Sequence, residues 1–560
     1  MRGQRAIVLD VSALLLLSGW LVFVNLGQPN LGEPDEPRSA LIARVMAERG
    51  DWLAPHLPIL GHHEHPAQPI DGDLRAYLYK PPLFFWLEAL AMKVFGSTAF
   101  AARLPAALSQ IASVLMVYAM GRSLSGRAAG LLAAGFMAMA PLPLLLGRLA
   151  RLEATLTACL TAMLLALLRL ESGATRRWAW AFLLCAAGGL VAMTKGPAIL
   201  FFPVAAMAVV VILGRRWGDL RRLHLVGGAG ICLAVAAPWY LYMHARYPSS
   251  PDGRVAGFLQ EFFVRQSWER VTTEGLGHIH RPGYLFLVAV VGFLPWSAFL
   301  PGLCVRLAGR AWRERREAPA LLLLFAWVVA VLGLSSVSKT QLEHYAAPAF
   351  PALALLAGIH VAERLRVGAC SLSLRVELIA LAVIVAAAPT TLAAMLIREG
   401  LWRTYWLPMA AISAVSLAAV ILGLRGRRTS LALSGAGFVL CASLVMATDP
   451  FRVLETRSTR TEAMFFLESI RPGDQAIIYP SIPFSFAWTI WPRPIPYADS
   501  LGQLADALDL PNRTVVFSRD GDVLARLKPR LRWPVDVLLE SRKGIVFATC
   551  PEGGPPPEQR

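Results

Sequence analysis

Long runs of apolar residues, separated by short clusters of arginine, dominate this chain of 560 residues. About 20 consecutive apolar residues cross a bilayer as a helix. Windows of this kind can be placed at 6–26, 101–121, 127–146, 153–171, 178–195, 197–214, 224–243, 283–303, 319–337, 345–362, 376–397, 405–424 and 429–448. The pattern predicts a polytopic α-helical membrane protein with about 13 transmembrane helices.

Composition supports this prediction and excludes other classes. Hydrophobic residues make up 56% of the chain and charged residues 16%, values that an ordinary soluble domain rarely reaches. The formal net charge of +17 could indicate a nucleic-acid partner. However, the arginines fall in short clusters between apolar spans, as topology signals do, so we expect no nucleic acid.

The sequence contains no CxxC pair, and we expect no disulfide framework. The first apolar run lacks a small-residue cleavage site and is interpreted as a retained anchor.

The arginine clusters also predict which parts lie on each side of the membrane. Six arginine-bearing loops fall on one side if the N-terminus is cytoplasmic. Three larger pieces then lie outside, namely a loop over 27–100, a loop over 244–282 and the segment 450–560. We therefore predict a transmembrane domain over 1–449 with these two outer loops. Along 450–560, predicted strands at 475–480, 514–518, 535–541 and 544–550 alternate with predicted helices at 458–470 and 498–509, which indicates a small C-terminal α/β domain.

The first outer loop contains two predicted short helices. Pro37 and Gly50 are the start and stop residues of one, and the second runs from Leu83 to Phe95 and ends at Gly96. We expect both helices to lie along the membrane surface, and the first has an apolar face suited to it. That face consists of Leu41, Ile42, Val45 and Met46.

Charged residues on the outer side require another explanation than topology. They are Asp35, Glu36, Arg38, Lys80, Arg148, Arg151, Glu153, Lys195, Arg265, Arg270 and Lys339. Cations at the headgroup level suit a phosphate or diphosphate, which arginine binds by bidentate hydrogen bonds and lysine as a point charge. Lys80 precedes a helix N-terminus, where an anion is already favoured. The alternative is that each cation snorkels to lipid headgroups and that Asp35 is an N-cap.

A histidine-rich stretch at 56–65 raises the question of a metal. His62 and Glu88 are the candidate ligands for zinc, which histidine and carboxylate side chains bind. The spacing matches no standard zinc motif, and lysine or arginine could replace a metal at a phosphate. We therefore expect that no cofactor is required, with zinc as an open possibility.

Several short motifs, in this order along the chain, resemble one protein family. They are Pro34-Asp35-Glu36-Pro37-Arg38, Gly50-Asp51-Trp52, Tyr77 to Pro81, Thr194-Lys195-Gly196-Pro197 and Ser338-Lys339-Thr340-Gln341-Leu342 with Tyr345. Over about 28–350 the chain resembles the bacterial aminoarabinose transferases that modify lipid A, relatives of the protein O-mannosyltransferases. Those proteins are membrane glycosyltransferases with the GT-C fold.

The resemblance implies an activity and its partners. The donor would be 4-amino-4-deoxy-L-arabinose on undecaprenyl phosphate, and the acceptor a lipid A phosphate, a modification linked to polymyxin resistance. The site would face the periplasm from a multi-pass protein of the bacterial inner membrane, in contact with membrane lipids. Asp35 matches the family's acidic residue at the reaction centre, and we expect Asp35 and the adjacent Glu36 to be the catalytic residues. Two positions depart from the family pattern, with Tyr79 and Glu153 where Glu and Asp are common.

The remaining site residues are assigned as follows. We expect the carrier phosphate to contact Arg38, Lys80, Arg270, Tyr345, Lys195 and Lys339. Candidates for the substrate pocket are Tyr77, Tyr79, Glu153 and His344. Two other functions remain open. Transfer to a protein hydroxyl would need Asp35 as a general base, whereas a transporter would usually show inverted repeats, which this sequence lacks.

Overall fold

Helices make up most of the computed structural model. It describes residues 2–28, 30–59, 69–71, 74–173, 175–218, 225–250, 255–269, 283–366, 372–398, 402–425, 431–432, 434–439, 442, 458–493 and 495–550. The helices up to the middle of the chain are α1 (Arg2–Phe23), α2 (Asp35–Arg49), α3 (Leu83–Phe95), α4 (Ala99–Ser125), α5 (Arg127–Met139), α6 (Pro141–Leu146), α7 (Glu153–Glu171), α8 (Arg177–Lys195), α9 (Phe201–Gly214) and α10 (Leu225–Arg246).

The second half of the chain continues this pattern and adds four helices of the C-terminal region. The helices are α11 (Tyr284–Gly292), α12 (Leu300–Arg313), α13 (Ala320–Val337), α14 (Phe350–Arg366), α15 (Leu372–Arg398), α16 (Trp402–Leu424), α17 (Arg460–Ser469), α18 (Phe484–Ile490), α19 (Leu501–Leu508) and α20 (Val523–Leu527). Short 3₁₀ segments lie at Pro197–Leu200, Trp296–Phe299, Glu343–Ala349 and Lys528–Arg530, and a π-helical segment at Gln260–Glu269.

The apolar helices identify a multi-pass membrane protein. Among the described residues, seven helices are long and apolar enough to cross a bilayer, or eight if a bent pair counts as one span. The predicted count of thirteen spans therefore stays a prediction. Two predicted windows are not single straight helices. The window 127–146 is interrupted at Ala140 between α5 and α6, and the window 283–303 contains a bend of 111°.

The first outer loop folds onto the bundle together with a small sheet. Strands β1 (His56–Pro58), β2 (Ile70–Asp71) and β3 (Leu74–Ala76) form an antiparallel sheet in the order β1-β3-β2. Helices α2 and α3 pack against each other, and α2 ends at Gly50, whose φ of 77° is readily adopted by glycine. The predicted bounds of α3 are confirmed.

One expectation for the first loop was wrong. The apolar face of α2 does not lie on lipid, because Leu41, Ile42, Val45 and Met46 are buried inside the protein. The C-terminal region covers this helix, since α18 packs against it. The Arg44 guanidinium also donates hydrogen bonds to the carbonyls of Trp488 and Trp491 at 3.1 and 3.2 Å.

The C-terminal region contains a four-stranded mixed sheet. Its strands are β4 (Gln475–Tyr479), β5 (Thr514–Ser518), β6 (Val535–Ser541) and β7 (Gly544–Thr549), in the order β4-β5-β7-β6. The strands and the helices α17 and α19 match the predicted elements to within a few residues. Asn30 accepts a hydrogen bond from Arg460 at 2.7 Å, so this region and the first loop lie at the same end of the bundle. The domain boundary near 450 stays a prediction.

Candidate functional site

A cavity of about 360 Å³ lies where the first loop meets the helix bundle. Its described lining carries five cationic side chains and two carboxylates, an arrangement suited to an anionic ligand. The cations are Arg38, Arg75, Lys80, Arg151 and Lys195, and the carboxylates are Asp35 and Glu153.

Helix ends bring these charges together from distant parts of the sequence. Asp35, Arg38 and Ser39 share one face of the first turn of α2, since residues three and four apart are neighbours on a helix. Glu153 begins α7, and Lys195 ends α8. Because these ends meet at one end of the bundle, polar groups cluster there without crossing the apolar interior.

Asp35 is held by two arginines at the edge of the cavity. Its Oδ1 lies 2.5 Å from Arg38 Nη2, and its Oδ2 lies 3.0 Å from Arg151 Nη2. The Asp35 side chain is still 37% exposed. Two charge-assisted contacts fix the carboxylate while leaving it accessible to a ligand.

A second chain of contacts continues from Arg151 across the cavity. Arg151 Nη2 lies 3.2 Å from Nδ1 of His344, and His344 Nε2 lies 3.2 Å from Glu153 Oε1. Because arginine can only donate, Nδ1 is the acceptor, and Nε2 carries the proton that is donated to Glu153. Lys195 Nζ lies 3.6 Å from the same Glu153 oxygen. The imidazole therefore bridges a cation and a carboxylate in its neutral form.

Aromatic rings form the walls between these charges. Lys195 Nζ sits 4.6 Å from the ring centroid of Tyr345, a cation–π contact. Tyr77 and Tyr79 meet edge to face with centroids 5.0 Å apart, and Tyr77 packs in the same way on Phe85 at 5.8 Å. Rigid rings of this kind can shape a sugar pocket while the cations bind its phosphate.

Glu36 occupies a different place from the one predicted for a catalytic residue. Among the described residues, Glu36 is not part of the cavity lining. It is buried, and its two carboxylate oxygens each lie 2.9 Å from the Arg103 guanidinium. The amides of Gly32 and Ala150 complete its contacts at 2.9 and 2.8 Å. Burial opposes ionisation, but the charge of Arg103 and these hydrogen bonds outweigh it and lower the pKa of Glu36.

Glu88, a predicted zinc ligand, is buried behind the cavity. It accepts a hydrogen bond from the Ser39 hydroxyl at 2.6 Å, and Oε1 has no hydrogen-bond partner among the described residues. Burial raises the pKa of Glu88 well above its ordinary value. His62 lies outside the described residues. Within the described ranges no three His, Cys, Asp or Glu side chains group as metal ligands, and zinc stays a prediction.

The other expected phosphate ligands divide into three groups. Lys80 and Tyr345 line the cavity with Arg38 and Lys195, as predicted. Lys339, although described, is not part of the lining. Arg270 lies outside the described residues, so its role stays a prediction.

Two further outer arginines have structural contacts instead. Arg148 is buried and donates to the carbonyls of Leu21, Val22 and Val24 at the end of α1. Arg265 pairs with Glu261 at 3.1 Å. Both were expected in the ring of cations around the phosphate, and neither is in the described lining of the cavity.

Several lining residues were not assigned a role from the sequence. Arg151 was noted as an outer cation, but its position between Asp35 and His344 depends on tertiary contacts. Arg75 on β3 and Ser39 on α2 also line the cavity. Ser39 carried a detectable signal, since it lies four residues after Asp35 on the same helix face. Arg75 lay in no motif.

Comparison with known proteins finds similarity to membrane glycosyltransferases. A family model described as dolichyl-phosphate-mannose-protein mannosyltransferase matches residues 79–242. The chain is 32% identical over 356 residues to the undecaprenyl phosphate-alpha-4-amino-4-deoxy-L-arabinose arabinosyl transferase of Pectobacterium carotovorum subsp. carotovorum, over 62% of this chain and 58% of that protein. The protein of the same name from Pseudomonas aeruginosa is 33% identical over 370 residues, over 64% and 60%. The matched region thus spans about three fifths of these relatives' length.

Solved structures extend the likeness to nearly the whole chain. The crystal structure of ArnT from Cupriavidus metallidurans bound to undecaprenyl phosphate matches with a TM-score of 0.78 at 22% identity, over 98% of this chain and 99% of that one. The oligosaccharyltransferase AglB from Archaeoglobus fulgidus matches with a TM-score of 0.53 at 14% identity, over 91% and 69%. The fold is that of the GT-C membrane glycosyltransferases. Within this class the chain is similar to the bacterial aminoarabinose transferases, and the resemblance seen in its motifs is confirmed.

Proposed function

We propose that this chain transfers 4-amino-4-deoxy-L-arabinose from undecaprenyl phosphate to a lipid A phosphate. The observation that carries the proposal is the cavity in which Asp35, Lys80, Lys195 and Tyr345 meet. Its volume of about 360 Å³ suits a small polar headgroup. A long polyprenyl chain does not fit there and would extend into the surrounding bilayer.

The proposed reaction displaces one phosphate oxygen by another at the anomeric carbon. An acceptor phosphate oxygen forms the new bond to this carbon, and the bond to the carrier phosphate breaks, with its electron pair leaving on the carrier oxygen. The acceptor oxygen is already an anion, so no general base is required. The cations of the cavity stabilise the negative charge that increases on the departing phosphate.

Asp35 and the cations would have separate roles. The carboxylate of Asp35, fixed by Arg38 and Arg151, would stabilise positive charge that develops on the sugar as the bond breaks. Lys80 and Lys195 would bind the carrier phosphate, and Tyr77 and Tyr79 would contact the sugar ring. We also propose that the site faces the periplasm from the inner membrane, as the arginine distribution supports.

The test is transfer by the purified full chain in lipid vesicles. Radiolabelled donor lipid is supplied with lipid A, with a protein acceptor, or with no acceptor. We expect label on lipid A. Label on the protein would indicate a hydroxyl acceptor, and label that only crosses the bilayer would indicate a transporter; either result would contradict the proposal.

A matched pair of variants distinguishes the site from general charge effects. Asp35→Asn should lower the rate of transfer on the order of a hundredfold. Asp51→Asn should not, although Asp51 is similarly exposed and also pairs with an arginine, Arg246, at 3.2 Å. Asp51 is not among the described residues that line the cavity around Asp35.

A further inference from the structure

Helix α12 turns sharply away from the span that precedes it. Helix α11 starts at the cavity end of the bundle, where the Tyr284 hydroxyl donates to Glu343 at 3.0 Å. The following segment, Trp296–Arg313, is bent from α11 by 111°. A helix at nearly a right angle to a span lies closer to the membrane plane than across it.

Two contacts fix the level of α12 along the bundle. Arg310 Nη1 lies 2.7 Å from Glu363 Oε1, and a Cβ on Gly302 would lie 3.2 Å from His360 Nε2. Glu363 lies roughly 20 Å along α14 from Phe350, the residue at its cavity end. From 302 to 310, α12 covers roughly 12 Å, while its neighbours on α14 advance by roughly 4.5 Å. Helix α12 therefore runs obliquely near the end of the bundle opposite the cavity.

Three faces of α12 have different surroundings. The first is buried against α13 and α14, and it consists of Leu303, Leu307 and Ala311. The second is apolar yet exposed, and it consists of Cys304, Val305, Ala308 and Trp312. The third is basic, and it consists of Arg306, Arg310 and Arg313. Val305 is 82% exposed and Trp312 53% exposed, which a helix surrounded by water would not favour.

The basic face has charge left over after internal pairing. Arg310 is neutralised by Glu314 at 2.8 Å and by Glu363. For Arg306 and Arg313, the described part of the chain offers no hydrogen-bond or ion-pair partner. An exposed apolar face beside an unneutralised basic face is the pattern of a helix that lies in a membrane interface. The charge complements anionic phospholipids.

We propose that α12 is a membrane-surface helix that binds anionic phospholipid headgroups in the leaflet opposite the cavity. Arg306 and Arg313 contact the lipid phosphates, and Val305 and Trp312 insert among the adjoining acyl chains. The buried face anchors the helix to α13 and α14, so lipid bound there contacts the same helices whose other ends lead to the cavity. This surface is separate from the proposed carrier site.

The depth of Trp312 is the first test. The full chain is reconstituted in phosphatidylcholine vesicles, with or without lipids brominated on the acyl chain near the headgroup. The chain has 16 tryptophans, so the contribution of Trp312 is the difference between the natural chain and Trp312→Phe. We expect the brominated lipids to quench the fluorescence attributed to Trp312. If Trp312 is not quenched, it faces water or another protein, and the proposal is wrong.

Lipid selectivity is the second test. Phosphatidylglycerol is titrated into the purified chain, and retained lipid is counted by native mass spectrometry. Each cation near an anionic surface contributes about fivefold, so Arg306→Gln with Arg313→Gln should weaken binding about 30-fold. The matched control is Arg176→Gln with Arg177→Gln, which removes two exposed arginines at the same end of the bundle. An equal loss in the control, or no loss in α12, would overturn the proposal.

Discussion

Asp35 and Glu36 are adjacent in sequence, and each pairs with arginine, but their surroundings are opposite. Asp35 lies at the cavity, 37% exposed, between Arg38 and Arg151. Glu36 is enclosed with Arg103, and both side chains are almost completely buried. One step along an α-helix rotates the side chain by about 100°, which is enough to separate the cavity from the protein interior.

This difference separates a buried structural ion pair from the accessible pair that we propose to be catalytic. The oxygens of Glu36 are satisfied by Arg103 and by two backbone amides, so no capacity remains for a ligand. The pair joins the first loop to α4 and to the start of α7. The carboxylate of Asp35 is fixed but accessible, as a reaction centre requires.

The largest expected effect comes from removing one partner of the buried ion pair between Glu36 and Arg103. Glu36→Ala leaves Arg103 buried without its counter-charge, which should lower the free energy of unfolding by about 3–5 kcal/mol. Thermal unfolding of the purified variant in detergent measures this. Asp35→Ala is the control and should change the unfolding temperature little, because its arginine partners remain accessible to water. Equal unfolding temperatures for the two variants would contradict the distinction between a stabilising buried pair and an accessible one.

The next largest effect is on turnover, through the accessible carboxylate of Asp35. Asp35→Asn removes the charge that would stabilise the sugar cation, and kcat should fall on the order of a hundredfold. The unfolding temperature should stay close to that of the natural chain. Initial rates at saturating donor give kcat, and unchanged turnover in a folded variant would show that Asp35 is not at the reaction centre.

The sequence predicted the accessible site around Asp35 better than the buried pair of Glu36 and Arg103. Asp35, Lys80, Lys195 and Tyr345 were predicted to converge because each is charged or polar at the same membrane edge. Neighbouring carboxylates in one motif do not reveal which of them is turned inward, so Glu36 was assigned to catalysis. Arg103 sits inside an apolar span, where its partner is set by tertiary contact alone.

Local signals were sufficient for secondary structure but not for packing. The strand Thr514–Ser518 follows from a short apolar run, and the helix Leu83–Phe95 from the Pro residues before it and the Gly after it. The apolar face of α2 was assigned to lipid, since amphipathicity does not tell what covers a helix. Arg148 was read as a site cation for the same reason, because the end of α1 that it caps is remote in sequence.

Affinity for undecaprenyl phosphate distinguishes a lysine inside the cavity from one outside it. Lys80→Ala removes a charge-assisted contact, which should cost about 1.5–3 kcal/mol, or ten- to a hundredfold in affinity for undecaprenyl phosphate. Lys339→Ala is the matched control, since Lys339 is a described residue outside the cavity lining. Calorimetric titration of the carrier gives both affinities. Similar losses would indicate general attraction of the anion rather than a defined contact.

The smallest expected effect is the pH dependence due to Glu88. Burial raises the pKa of Glu88 above its unfolded value, so the folded chain retains a proton that the unfolded chain releases. This contribution to stability is present at low pH and is lost as pH rises towards the folded pKa, by at most about 1.4 kcal/mol per pH unit. Unfolding temperatures compared across pH should show this loss in the natural chain and a smaller one in Glu88→Gln. Identical profiles would mean that Glu88 is ionised in the folded chain.

The mass of lipid A in living cells tests directly whether the Asp35 cavity transfers the sugar. Bacteria that lack their own aminoarabinose transferase but make the donor lipid would express either the natural chain or Asp35→Asn, at matched levels in the membrane. We expect lipid A to gain the mass of aminoarabinose with the natural chain and to gain far less of it with Asp35→Asn. Unmodified lipid A with the natural chain, or equal modification with both, would contradict the assignment of the Asp35 cavity as the site of sugar transfer.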